Sequence, residues 1–159
     1  PLATPDPAWR ALWSELPPYE LIENDSLDFV TLQRLKRLAH VWEVIHNRGH
    51  FPAALPLLWR DGSPFAAVLA FSDWLWTTTG QSCGLQHERL AGLLFRFLTE
   101  VQGRDPAPVA DALLRDLHRG GRKGRPAELR GFPEPDDRPG ATDVASPPLP
   151  RQRRFQAAR

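Results

Sequence analysis

Apolar residues recur along most of this chain at steps of three and four and hardly ever alternate, the period of an α-helix rather than a strand. Trp9, Leu12, Trp13 and Leu16 form the first stripe, with Asp6 placed as an N-cap, Pro7 at the first helical position, and Pro17 and Pro18 as a stop. A short first helix is therefore expected, followed by an extended stretch from Tyr19 to Glu23. Ser26 or Asp28 opens a long helix to about Asn47, with Phe29, Leu32, Leu35, Leu38, Trp42 and Ile45 on one side and Arg34 and Arg37 elsewhere. Gly49 sits where a left-handed C-terminal cap falls.

Between Phe51 and Asp61, Pro52 and Pro56 are four apart, so this connection holds at most a helical turn, although Leu55, Leu57, Leu58 and Trp59 have to be buried. Ser63 and Pro64 cap and start the next helix. Its Phe65, Val68, Leu69, Phe71, Trp74 and Leu75 run to Gly80 and are apolar nearly all round, which predicts the centre of the core. Leu85 to Gln102 predicts a further helix ended by Gly103, with Leu90, Leu93, Leu94, Phe97, Leu98 and Val101 inward. Asp105 and Pro106 start the last, carrying Val109, Leu113, Leu114 and Leu117. Five helical segments, short Gly- or Pro-marked connections and no strand run predict an all-α fold, a compact bundle.

Charge divides the chain more sharply than hydropathy. Residues 1–118 carry 10 Lys/Arg against 14 Asp/Glu, net −4, and residues 119–159 carry 10 against 5, net +5, which together give the overall +1. From Pro133 onward the segment is rich in proline and arginine and poor in large apolar residues, so it cannot offset the entropy of ordering. The expected organisation is a helical domain over residues 1–132 and a disordered, basic, Pro-rich tail over 133–159. Nothing approaches the 18 or more apolar residues of a membrane span, and no secretory signal opens the chain, so a cytoplasmic setting without membrane contact is expected. The chain starts at Pro1 and holds no Met, which suggests a piece of something longer. Its one cysteine, Cys83, excludes an internal disulfide and any metal site built from several thiolates.

Chemically suggestive positions are few. His46 and His50 have the i, i+4 spacing of two ligands on one helical face, but Gly49 falls between them and the glutamate of a zincin motif is missing. Cys83 has His87 four residues on, yet sequence neighbours alone do not supply the base and electropositive pocket a nucleophile needs. Asp73 is flanked by Phe71, Trp74, Leu75 and Trp76, where an ionised carboxylate calls for a partner, an Arg or a Trp N–H. The run from Arg119 to Arg125, with Gly120, Gly121 and Gly124, is basic and suited to phosphate contact, but it follows no strand and is neither a P-loop nor a dinucleotide fingerprint.

Five strings go further. PPYELIENDSLDF (Pro17 to Phe29), RLKRLAHVWEVIHNRGHF (Arg34 to Phe51), LPLLWRDGSPFAAVLAFSDWLW (Leu55 to Trp76), RLAGLLFRFLTE (Arg89 to Glu100) and GRKGRPAEL (Gly121 to Leu129) resemble the C-terminal accessory region, itself a domain of unknown function, of cobalamin-binding radical SAM proteins. The resemblance covers about Pro17 to Phe132. It implies a bacterial parent with an N-terminal cobalamin-binding domain and a central radical SAM barrel, both partners of this region in the same polypeptide. The parent's cofactors are an iron-sulfur cluster (4Fe-4S), S-adenosylmethionine and cobalamin, and methyltransferase chemistry is among the reactions implied. None of these cofactors is assigned to this chain, which lacks the C-x-x-x-C-x-x-C loop of the barrel. No catalytic, cofactor-binding or metal-binding residue carries over.

The expected role is a cap that packs on the barrel and keeps water from a radical centre. Candidates for interface or substrate contact are His46, Asn47, Arg48, Gly49 and Phe51 in one loop, Asp73, and Arg122 and Arg125 in the basic run. Two alternatives stand beside it: a stand-alone helical interaction or RNA-binding module using the basic tail, and a small hydrolase or metal enzyme using His46, His50 and Asp73.

Overall fold

The caps and stripes of the sequence become elements in a computed structural model that describes residues 11–60, 62–81, 83–121 and 124–135. Two short antiparallel strands, β1 (Ala11–Trp13) and β2 (Leu21–Asn24), precede five helices: α1 (Phe29–Trp42), α2 (Leu55–Leu58), α3 (Pro64–Thr79), α4 (His87–Arg96) and α5 (Pro106–Arg119). A 3-10 turn at Ala127–Leu129 follows. The protein is thus mostly helical.

Helix starts and stops lie where the local chemistry puts them. Asp28 caps α1, its Oδ1 accepting from the Thr31 N–H at 2.7 Å, and these bonds to Thr31 hold its carboxyl below the ordinary value. Asp105 caps α5, its side chain accepting from the Ala107 N–H at 3.1 Å. Gly80 closes α3 in the left-handed conformation, φ 65°, which costs a residue without Cβ nothing. Both α1 and α4 continue into a widened π-turn, Glu43–Asn47 and Phe97–Val101. There the N–H groups of Arg48 and Gln102 reach back five residues to the carbonyls of Glu43 (3.1 Å) and Phe97 (3.0 Å).

Asp6, Pro7 and Trp9 of the expected first helix lie outside the described residues, and its described part, from Ala11 on, is not helical. Ala11–Trp13 is a strand, paired antiparallel with β2 with Leu12 opposite Glu23 and Trp13 opposite Leu21. The eight-residue stripe ending at Pro17 is too short for a helix to hold itself, since nucleation is costly and isolated helices under about 12 residues are marginal. Strand pairing instead gives the extended segment after Tyr19 a partner for its backbone groups. The hairpin rests on the helical body through β2 against α1. Five helices remain, because the turn in the Phe51 to Asp61 connection forms α2.

The core is centred on α4 rather than on α3. Five successive residues of α4, Leu90 to Leu94, are buried, whereas α3 buries Val68, Phe71, Ser72 and Leu75 and leaves Phe65 and Trp76 exposed. α3 is apolar all round without being enclosed. Phe71 and Trp74 meet Phe97 with ring centroids 5.2 and 5.5 Å apart, tying α3 to the turn after α4. α5 adds Val109, Leu113, Leu114 and Leu117, all buried. Of the expected tail, residues 133–135 are described, and Glu134 is bonded to Arg125 and near His118; the remainder lies outside the described residues.

Two polar residues, Ser72 and Asp116, are buried among the described residues, and only the second is ionisable. Asp116 of α5 is 1% exposed, and its carboxylate accepts from the N–H groups of Ala53 (3.0 and 3.2 Å) and Ala54 (2.9 Å). Burial raises its pKa from 3.8 to about 6, against the opposing influence of those two N–H groups and of Arg119. A carboxyl raised on folding contributes stability that is complete below 3.8 and is lost as pH climbs through about 6, a span of about 3 kcal/mol. Asp116→Asn is expected to erase that slope, so that chemical denaturation from pH 4 to 7 shows the variant gaining on the wild type as pH rises. Asp116→Ala leaves two backbone donors without an acceptor and is expected to cost about 2 to 4 kcal/mol at pH 4, a cost that shrinks as pH rises because the variant has no carboxyl to titrate.

Candidate functional site

The loop singled out between His46 and Phe51 divides between surface and core. His46 stacks on Trp42 with centroids 4.6 Å apart, and Trp59 stands 6.1 Å away, so three rings form a half-exposed aromatic group. His50 turns elsewhere and meets His87 edge-on at 4.7 Å. The two histidines of the i, i+4 pair therefore do not converge, because the chain leaves the helix at Gly49, φ 65°. Phe51 is fully buried and stacks on His87 at 4.7 Å, so it is a core residue and offers nothing to a partner. Asn47 donates to Glu43 at 2.7 Å, and Arg48 stands 3.8 Å from the same carboxylate at the mouth of a cleft.

Asp73 has the arginine partner its surroundings demanded. Arg34 grips it with Nε at 3.0 and 2.9 Å from the two oxygens and Nη2 at 2.5 Å, a fork geometry that joins α1 to α3. One turn on, the Arg37 guanidinium lies over the Trp76 ring, 4.9 Å from its centroid. These two contacts advance in the same direction along both helices and form a polar seam. The Arg34 pKa is raised by its hydrogen bonds and charge pairing with Asp73. Such an arrangement fixes helix packing, and both arginines are committed to it.

Arg125 is committed as well. Its Nε donates to the Leu129 carbonyl at 2.9 Å, its Nη2 to the Phe132 carbonyl and its Nη1 to Glu134 at 2.9 Å, so it folds the segment after α5 around itself. Arg122 lies outside the described residues. Cys83 is exposed. Among the described residues no group of three His, Cys, Asp or Glu stands close enough to hold a metal, and no helix is long and apolar enough to cross a membrane.

The helical reading of the N-terminal segment concealed a set of exposed apolar side chains. Leu12 (52% exposed) and Trp13 (56%) of β1, Leu16 (74%) and Tyr19 (61%) of the turn, and Phe29 (49%) and Val30 (70%) of α1 all face outward at one end of the fold. Glu15, Glu23, Asp25 and Asp28 stand among them in sequence, and Glu20 is bonded to Lys36 at 2.5 Å. Exposed single hydrophobics are ordinary, but six large ones on one hairpin and the adjoining helical turn are an unusual concentration. The available signal in the sequence was the Tyr19 to Glu23 extended stretch, which needed a strand partner that only Ala11–Trp13 could supply.

Neither the curated proteins nor the solved structures give a match to this chain. Residues 8–137 match the model of a family described as "Protein of unknown function (DUF4080)". That span takes in the hairpin, all five helices and the Arg125 clasp, and the chain belongs to the DUF4080 family.

Proposed function

We propose that this domain is the C-terminal helical accessory domain of a cobalamin-dependent radical SAM protein, without a catalytic residue of its own, and that it packs on the radical SAM barrel through the hairpin face. The collinear strings from Pro17 to Leu129 support the family link. The observation that carries the packing role is the outward set of Leu12, Trp13, Leu16, Tyr19, Phe29 and Val30, whose burial against a neighbouring domain would remove apolar surface from water. The commitment of Arg34, Arg37, Asp73 and Arg125 to internal contacts agrees with a non-catalytic role. The RNA-binding alternative rests on arginines beyond residue 135 and finds no support from Arg125.

The first test is the reading frame upstream of the Pro1 codon. An uninterrupted frame encoding a C-x-x-x-C-x-x-C loop is the expected result; a start codon directly before Pro1, or an upstream frame without that loop, would overturn the proposal. In the parent polypeptide, the amides of Ala11–Asn24 are expected to exchange hydrogen more slowly than in the isolated domain. The double substitution Trp13→Ser and Tyr19→Ser is expected to abolish that protection while leaving the thermal transition of the isolated domain nearly unmoved. Equal exchange in both contexts would assign the packing to another face.

A further inference from the structure

A cleft of about 220 Å³ opens between the C-terminal part of α1 with its π-turn, α3, and the connection into α4. Its floor is Val41, Ile45, Leu75 and Leu90, each at most 3% exposed, and Val44 and Leu85 form half-buried walls. Gly84, with φ 74°, turns the connection back along the opening. Only two lining side chains are polar, His40 and Arg48, and neither is an obligate acceptor. Among the described residues no carboxylate, amide or hydroxyl side chain lines the space.

Both polar groups have hydrogen-bonding capacity to spare. Among the described residues, the one charged partner of Arg48 is Glu43, 3.8 Å from Nε, and the other Glu43 oxygen is taken by Asn47 at 2.7 Å. The two Nη groups of Arg48 and the imidazole of His40 make no hydrogen bond there. This sets Arg48 apart from Arg34, Arg37 and Arg125, each engaged within the fold. A guanidinium fork and one imidazole above an apolar floor favour a ligand whose head accepts and whose body is apolar. A sugar or polyol, which must both donate and accept, would find too few acceptors.

We propose that this cleft binds a small monocarboxylate with a short apolar body, its carboxylate on Arg48 and His40 and its chain against Val41, Ile45, Leu75 and Leu90. The space is below the ~300 Å³ at which drug-sized sites begin. At ~30 Å³ per water-sized group it takes roughly seven such groups, the size of a six-carbon acid with its head at the mouth. The Arg48 fork matches the two oxygens of a carboxylate. This assignment is independent of whether the domain caps a radical SAM barrel.

The test is titration of the isotopically labelled chain, as it stands, with hexanoate, with acetate as a head without a body and 1-hexanol as a body without a head. Hexanoate is expected to give saturating amide shifts confined to residues 40–48 and 84–90 and the turn of α3 around Leu75. Acetate and 1-hexanol are expected to bind at least about tenfold more weakly, the size of a lost charge-assisted bond or of comparable apolar contact. Arg48→Gln, at an exposed position, is expected to weaken hexanoate by about tenfold with 1-hexanol unaffected and the thermal transition retained. Leu85→Trp fills the opening and is expected to abolish both. Absence of saturation, equal binding of hexanoate and 1-hexanol, indifference to Arg48→Gln, or shifts concentrated on the hairpin face would each overturn the proposal.

Discussion

One buried carboxylate sets the course of the chain through the middle of this protein. Pro52 and Pro56 deprive the connection after α1 of two N–H groups and keep it from continuing as a helix. The donors that remain at Ala53 and Ala54 would be orphaned in the core without Asp116, which reaches them from α5, more than sixty residues away. Held there, the connection delivers Phe51, Ala54, Leu55 and Leu58 to the interior, all 4% exposed or less. Phe51 in turn lies flat on His87 at the start of α4, so the loop leaving α1 and the loop entering α4 are positioned together. The cleft lies between these two loops, and its shape depends on an interaction on the far side of Phe51.

The local grammar of the chain was largely readable from its residues. Asp28, Asp105, Pro64, Gly80 and Gly49 act within one turn of themselves, and each stands where its capping chemistry requires. What sequence does not carry is which surface a stripe will meet. Trp9, Leu12, Trp13 and Leu16 have helical spacing, but Leu12 and Trp13 went to strand pairing with a segment about ten residues on. Phe65 and Trp76 extend the apolar girth of α3 without being enclosed, because Arg37 rather than another helix covers the Trp76 ring. Asp116 left a faint trace: it occupies the position seven after Val109 and three after Leu113, on the buried face of α5, where an acid has no place unless something donates to it.

The same limit explains the fate of the site candidates. His46 and His50 looked like a pair because spacing along a helix is the one distance a sequence displays. A glycine at φ 65° between them was enough to send the rings to different neighbours, Trp42 and His87. Asp73 was legible as a carboxylate in need of a partner, since Phe71, Trp74 and Trp76 surround it in the chain itself. That the partner is Arg34, thirty-nine residues earlier, follows only from the packing of α1 on α3. Arg125 read as a free cation in a basic run, yet three of its nitrogens are occupied within ten residues of itself.

Function in this domain is therefore to be sought in what its internal contacts leave unspent. The arginines that join helices or close the C-terminal segment are engaged inside the fold, Arg34 with Asp73, Arg37 over Trp76 and Arg125 with Leu129, Phe132 and Glu134. Among the described residues two features stand out on the surface: the apolar end formed by the hairpin and the first turn of α1, and the guanidinium of Arg48 above an apolar cleft. They make different physical demands, one for a broad apolar surface and one for a single small anion with a hydrocarbon body. They also lie at opposite ends of α1, the first beside Phe29 and Val30 and the second beside Val44 and Arg48, roughly 20 Å apart at 1.5 Å per residue. A partner domain seated on the hairpin would leave the mouth of the cleft open, so docking and ligand binding can operate on one helix without competing for the same surface.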